Sequence, residues 1–136
     1  MSRRTARELA LRALFAVDCG KVAAPDALAK ASETLPRARQ DPDGFGTALV
    51  EGTLANLASL DAALLPHLRG WTLAQMPAVD RTLLRIAAFE LLHTTEPAAA
   101  VISEAVVLAK QYSTAESGRF INGVLGSLIR ADAPGV

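Results

Sequence analysis

Apolar residues return every three or four positions through most of this chain, and no stretch alternates apolar and polar for long enough to make a convincing strand. Leu49, Val50, Leu54, Leu57, Leu60, Leu64 and Leu65 show the spacing most clearly. It is the spacing of one helix face, because helical side chains come round about every 3.6 residues. Alanine and leucine dominate, and aromatic residues make up only 4%; neither of the dominant pair loses much freedom in a helix. The fold class expected is all-α.

The periodicity divides into six or seven helices. They are expected at residues 3–19, 26–34, 43–68, 77–93, 98–112 and 116–131, with a short turn at 73–76. Gly20 closes the first and Pro25 precedes the second. Pro66 should kink or thin the end of the third, because proline removes a backbone donor. Two prolines and a glycine mark residues 35–44 as a loop, and residues 132–136 as a frayed tail. At 136 residues the chain is expected to be one domain. Within it, a helical part at about residues 1–40 and a bundle at about 43–131 form two small packed subdomains, each too small for a secure core of its own.

Charge and cysteine content narrow the function. Fourteen basic and fourteen acidic residues give a formal net charge of zero, whereas a solitary nucleic-acid binder is usually basic. The start of the chain is an exception, with Arg3, Arg4, Arg7 and Arg12 against Glu8. The single Cys19 excludes a disulfide framework and a multi-cysteine metal site, and its expected role is a small core filler. No apolar run fits a secretory signal or a membrane span, so a cytoplasmic protein with no membrane role is expected.

Constellations for catalysis are missing. The chain has no phosphate-binding glycine loop, no dinucleotide fingerprint and no metalloprotease motif. His67 and His93 each fall near the end of an expected helix, where a cation suits the macrodipole. No enzyme, cofactor or metal is expected. Glu90 falls in the apolar stripe of Val79, Leu83, Ile86 and Ala87, so it needs a partner if buried. Glu104 lies at the edge of the next helix's apolar face. Asp80, Arg81 and Arg85 lie off the middle of the stripe, either as a solvated face or as a protein-contact surface.

Two places carry binding potential. In the first helix, Ala6, Leu9, Ala10, Ala13, Leu14 and Val17 share one broad side, with Arg4, Arg7 and Asp18 opposite. Leu11 and Phe15 project among the arginines, either covered by a second helix or as an exposed stacking platform beside phosphate-binding groups. In the last helix, Ile121, Val124, Leu125 and Leu128 form the core side. Arg119, Asn122, Gly123, Gly126 and Arg130 lie opposite, with Phe120 at the border. Glycine in a helix interior costs about 1 kcal/mol relative to alanine, so another surface is expected to approach closely there. Either a packed helix or a ligand meets that condition. Arg119 would supply charge and Phe120 a stacking face for single-stranded RNA, and Lys110 would extend the patch.

These residues resemble the NusB family of transcription antitermination factors. The matching pieces are Arg3 through Phe15, Val79 through Ala87 followed by Phe89-Glu90-Leu91, Glu104-Ala105-Val106 leading to Ala109-Lys110, and Ser117 through Leu125. Arg119-Phe120-Ile121-Asn122-Gly123-Val124-Leu125 is the strongest single match. The resemblance implies an all-helical, non-catalytic protein of two small bundles. It implies pairing with NusE, a ribosomal small-subunit protein, and binding of boxA RNA in nascent transcripts, within a complex that helps RNA polymerase pass terminators on ribosomal RNA operons. Carried over, Arg3, Arg4 and Arg7 match the family's basic RNA-facing arm. Phe15 stands where the family often has an aromatic ring, and Arg119 and Phe120 match a second RNA-contacting patch. Asp80 and Arg81 fall in the segment assigned to the NusE side.

Only Met1 and Ser2 precede Arg3, and the tail has no basic cluster. Affinity of the protein alone is therefore expected to be modest and salt-sensitive, with a partner adding contacts. Two other readings are an RNA-docking domain of an rRNA methyltransferase, which would make this chain a fragment, and a homodimeric adaptor whose arginine arm is masked. The end of the chain at residues 132–136 favours a complete protein.

Overall fold

The computed structural model describes residues 2–35 and 43–132. Most of the expected loop at 35–44, and residues 133–136 of the expected tail, lie outside them. Seven α-helices follow in order: α1 (Arg3–Gly20), α2 (Ala24–Thr34), α3 (Phe45–Ala55), α4 (Leu57–Leu64), α5 (Ala78–His93), α6 (Ala98–Tyr112) and α7 (Ala115–Asp132). Single 3-10 turns occupy Leu65–His67 and Leu73–Gln75. The fold is all-α, with no strand among the described residues. No single described helix is long and apolar enough to cross a membrane.

Local chemistry sets the helix ends. The Ser2 hydroxyl accepts from the Thr5 amide at 3.1 Å and caps α1, satisfying one of the amides a helix start leaves open. α2 begins at Ala24, two residues earlier than the pattern suggested, and takes Pro25 into its first turn, where a missing N–H costs little. Pro77 occupies the N-cap position of α5, where its backbone carbonyl accepts from the Arg81 amide at 3.2 Å.

The single helix expected over residues 43–68 is two helices. Asn56 leaves helical geometry at φ −114°, ψ 18°. Its carbonyl accepts both the Leu60 amide and the Ser59 hydroxyl at 2.9 Å, so the second helix is restarted by residues that favour turns and caps over helix interiors. The apolar period runs through this break unchanged and hides it. Pro66 sits in the 3-10 turn that tightens the end of α4.

Contacts divide the chain into Met1–Ala55 and Asn56–Val136. The boundary expected near residue 43 therefore moves to the break at Asn56, because α3 packs on α1 and α2 while α4 packs on α5. In the first unit, the buried apolar side chains are Ala6, Leu9, Ala10, Leu11, Ala13 and Leu14 from α1, Ala27 and Ala31 from α2, and Leu49 and Val50 from α3. Alanines on α1 and α2 allow those two helices to lie close.

In the second unit, α5, α6 and α7 pack on one another, and α4 with its 3-10 turn packs against α5 and α7. Leu60, Leu64, Leu68, Leu84, Leu108, Ile121, Val124 and Leu125 are buried. Arg85 fastens α5 to α4 through a two-pronged pair with Asp61, Nε to Oδ1 at 2.8 Å and Nη2 to Oδ2 at 2.9 Å. Such forked pairs combine charge with fixed geometry. Arg81 Nη1 donates to the carbonyls of Met76 at 3.1 Å and Leu73 at 3.5 Å. Glu90 is buried, as its place in the stripe required, and is not left without a partner.

Leu84 has no exposed surface. Leu84→Ala is expected to lower stability by about 2–5 kcal/mol through lost burial and a residual cavity, measured as a shift in the urea midpoint.

Candidate nucleic-acid interface

In the first unit, the basic start of α1 is organised by residues 43–45. Arg3 lies over the Phe45 ring, its Cζ 3.8 Å from the centroid, and donates to Asp43 Oδ2 at 2.9 Å. Asp43 Oδ1 accepts from the Phe45 amide at 3.2 Å, so one carboxylate both starts α3 and holds the arginine. Both members of the Arg3–Asp43 pair are about half exposed, so the pair contributes little to stability. Its effect is to fix where a guanidinium is displayed. Arg4 is exposed beside it.

Arg7 corrects the sequence reading. It was expected on an outward face, yet it is only 4% exposed, its guanidinium 5.6 Å from the Phe45 ring. It supports the arm from beneath, because α3 covers the flank of α1 that the helical wheel left to solvent. Leu11 and Phe15, which the wheel paired, also separate. Leu11 is buried and Phe15 is 39% exposed, so the covered reading holds for one and the exposed reading for the other. Cys19 is exposed and is no core filler.

In the second unit, the outer side of α7 carries Arg119, Asn122 and Arg130, all exposed. Gly123 and Gly126 lie under arginine side chains, whereas buried Gly118 packs against Lys110 and Val106 of α6. A Cβ added at Gly123 would stand 2.5 Å from Arg69 Nη2 and 3.0 Å from its Cζ. At Gly118 it would meet Lys110 Cγ at 3.1 Å, and at Gly126 Arg130 Nη1 at 3.3 Å. Lys110 itself is exposed, its stem against Gly118.

Phe120 is half-buried and lines, with Trp71, an open cleft of about 300 Å³ also lined by Met76, Asp80, Glu116 and Ser117. Trp71 is 52% exposed. Asp80 was expected on a charged outer face and is buried at 5% exposure, because α7 packs against α5 at that point. Its Oδ2 accepts from the Ser117 hydroxyl at 2.8 Å, and its Oδ1 is buried without a hydrogen bond among the described residues. Arg81 is half-buried and engaged with backbone carbonyls. Asp80 bonds to α7 and Arg81 to the turn before α5, while Arg81 keeps part of its surface exposed.

Sequence reasoning missed Phe45, Arg69 and Trp71. A lone aromatic after Asp-Gly gives no periodic signal. Arg69 sits in a turn that the pattern marked only as a break. Among the described residues, no cluster of three or more His, Cys, Asp or Glu could hold a metal.

The family model for NusB matches residues 4–130. The chain is 43% identical to the transcription antitermination protein NusB of Symbiobacterium thermophilum, over 96% of this chain and 90% of that protein. Its fold is similar to that of T. maritima NusB, with a TM-score of 0.86, 30% identity, and 98% and 94% of the two chains covered. It is similar also to a crystal structure of the antitermination factors NusB and NusE in complex with dsRNA, with a TM-score of 0.83, 23% identity, and 95% and 96% covered.

Burial separates the two arginines of the arm in a measurable way. Arg7→Ala is expected to destabilise the chain by about 1–3 kcal/mol, since it empties a buried polar position. Arg3→Ala is expected to change stability by no more than about 0.5 kcal/mol. Urea denaturation of the two variants side by side checks the assignment.

Proposed function

The chain belongs to the NusB family of transcription antitermination factors, which are not enzymes, and on that premise we propose that it binds boxA-type RNA in nascent transcripts together with NusE. The observation that carries this reading is exposed Arg119 next to the half-buried ring of Phe120, in a cleft that exposed Trp71 also lines. Aromatic faces stack unpaired bases whatever their identity, while guanidinium groups neutralise the backbone between them. The exposed arginines of α1, with Phe15 on the same helix, supply a second basic and aromatic surface of the same kind.

Zero net charge sets the terms of this binding. Only a few phosphates can be neutralised by the exposed arginines, so affinity is modest for the chain alone and falls with salt in proportion to that small number. A second protein bound to the same RNA adds contacts and raises the effective concentration of each. A NusB of the same fold has been crystallised with NusE and double-stranded RNA, which supports NusE as that second protein. The pair would act in the cytoplasm on ribosomal RNA operons, as part of the antitermination complex around RNA polymerase.

Fluorescence anisotropy of a labelled boxA-containing RNA, titrated at fixed salt with the chain alone and with added NusE, tests the reading. Binding is expected to tighten with NusE and not for a scrambled RNA. Phe120→Ala is expected to weaken binding by about 1–3 kcal/mol, the range for losing one stacked base, with helical circular dichroism unchanged. Equal affinity for the boxA and scrambled RNAs with and without NusE would overturn it.

A further inference from the structure

Arg69 is held in a way that its own stability does not explain. It adopts a left-handed backbone at φ 55°, and Gly70 follows at φ 89°. For a residue with a side chain that conformation costs about 1–2 kcal/mol. Such strain persists where the surroundings fix it, and here they do. Leu68 is fully buried, the Trp71 amide donates to the Leu68 carbonyl at 3.0 Å, and His67 Nδ1 is hydrogen-bonded to the Ser127 hydroxyl of α7 at 2.7 Å. The turn is thereby tied to α7, and it lays the Arg69 guanidinium against the bare backbone at Gly123.

Among the described residues, this guanidinium has no hydrogen-bond or ion-pair partner. Arg85 and Arg81 of the same unit are each engaged, one by a carboxylate and one by carbonyls. Arg69, Arg119 and Arg130 are exposed and make no hydrogen bond or ion pair among the described residues. All three lie along the outer side of α7: Arg119 on it, Arg69 over Gly123, and Arg130 with its Nη1 beside Gly126. From residue 119 to residue 130 the helix rises about 16 Å. Trp71, two residues beyond Arg69, and Phe120, next to Arg119, put aromatic faces at one end of this row.

We propose that Arg69, seated on Gly123, is an RNA-backbone contact, and that Arg119, Arg69 and Arg130 form a phosphate track along the outer side of α7. The inference rests on the RNA-binding reading above and extends it to residues no motif marks. Three unpaired guanidinium groups in a row suit a chain of phosphates. The neighbouring aromatic rings favour a nucleic acid over an acidic protein surface. A Cβ at Gly123 would stand 2.5 Å from Arg69 Nη2, so a side chain there makes the guanidinium shift from this seat. The contact is to phosphate, so it carries no base preference.

The test uses the chain with NusE and the labelled boxA RNA, titrated over a series of KCl concentrations. Arg69→Ala is expected to weaken binding several-fold and to make the log–log salt slope shallower by about 0.7, the value for one single-strand phosphate. Gly123→Ala keeps the charge and displaces it, and is expected to show a similar loss. Lys30→Ala removes an exposed cation of α2 and is expected to bind as the unmodified chain does. Wild-type binding by Arg69→Ala alongside weakened Arg119→Ala would overturn the track and leave the RNA reading standing. Equal losses in Arg69→Ala and Lys30→Ala would reduce it to a general charge effect and overturn it. No binding by the unmodified chain would overturn both.

Discussion

α7 has two sides with opposite tasks, and the second unit is arranged around that division. Ile121, Val124, Leu125 and Leu128 are buried where α7 packs on α5 and α6, and burying a side chain of this size stabilises by about 1.5–3 kcal/mol. That margin absorbs the cost of three glycines in one helix. The glycines leave room for Lys110, Arg69 and Arg130 to lie on the helix surface. A helix of alanines would be more stable in isolation and would push those cations away.

The described arginines fall into two classes by how far they are displayed. Arg7, Arg81 and Arg85 are buried or engaged and act as fasteners between elements. Arg4, Arg69, Arg119 and Arg130 are exposed. A neutral chain can therefore display local positive surface, because some acidic residues are spent on the fasteners, as Asp61 is on Arg85, while Asp80 and Glu116 line the cleft beside Phe120. Arg3 stands between the classes, displayed to solvent but aimed by Phe45 and Asp43.

Much of this was legible in the sequence. The all-helical class, the buried face of α5 with Glu90 in it, and the apolar face of α7 follow from the period of apolar residues alone. The break at Asn56 did not, because leucines on both sides keep the period while the backbone departs from it. Arg7 and Asp80 were misplaced for a related reason. A helical wheel records which side of one helix is polar, but burial depends on what lies across from it, and α3 and α7 cover those positions. Arg69 was invisible because its role depends on a left-handed turn meeting a glycine more than fifty residues away. The cost of glycine inside a helix pointed to close approach on α7, and the structure shows that Arg69 is what lies against Gly123.

The most direct test of this division of surfaces is a backbone amide NMR titration of the chain with NusE, following changes as boxA RNA is added. The account predicts that RNA shifts the amides of residues 69–71, those along 119–126 and those at the start of α1, and leaves α2 unperturbed. Shifts confined to α2 or to α6 away from Lys110, with residues 69–71 and 119–126 unmoved, would contradict it.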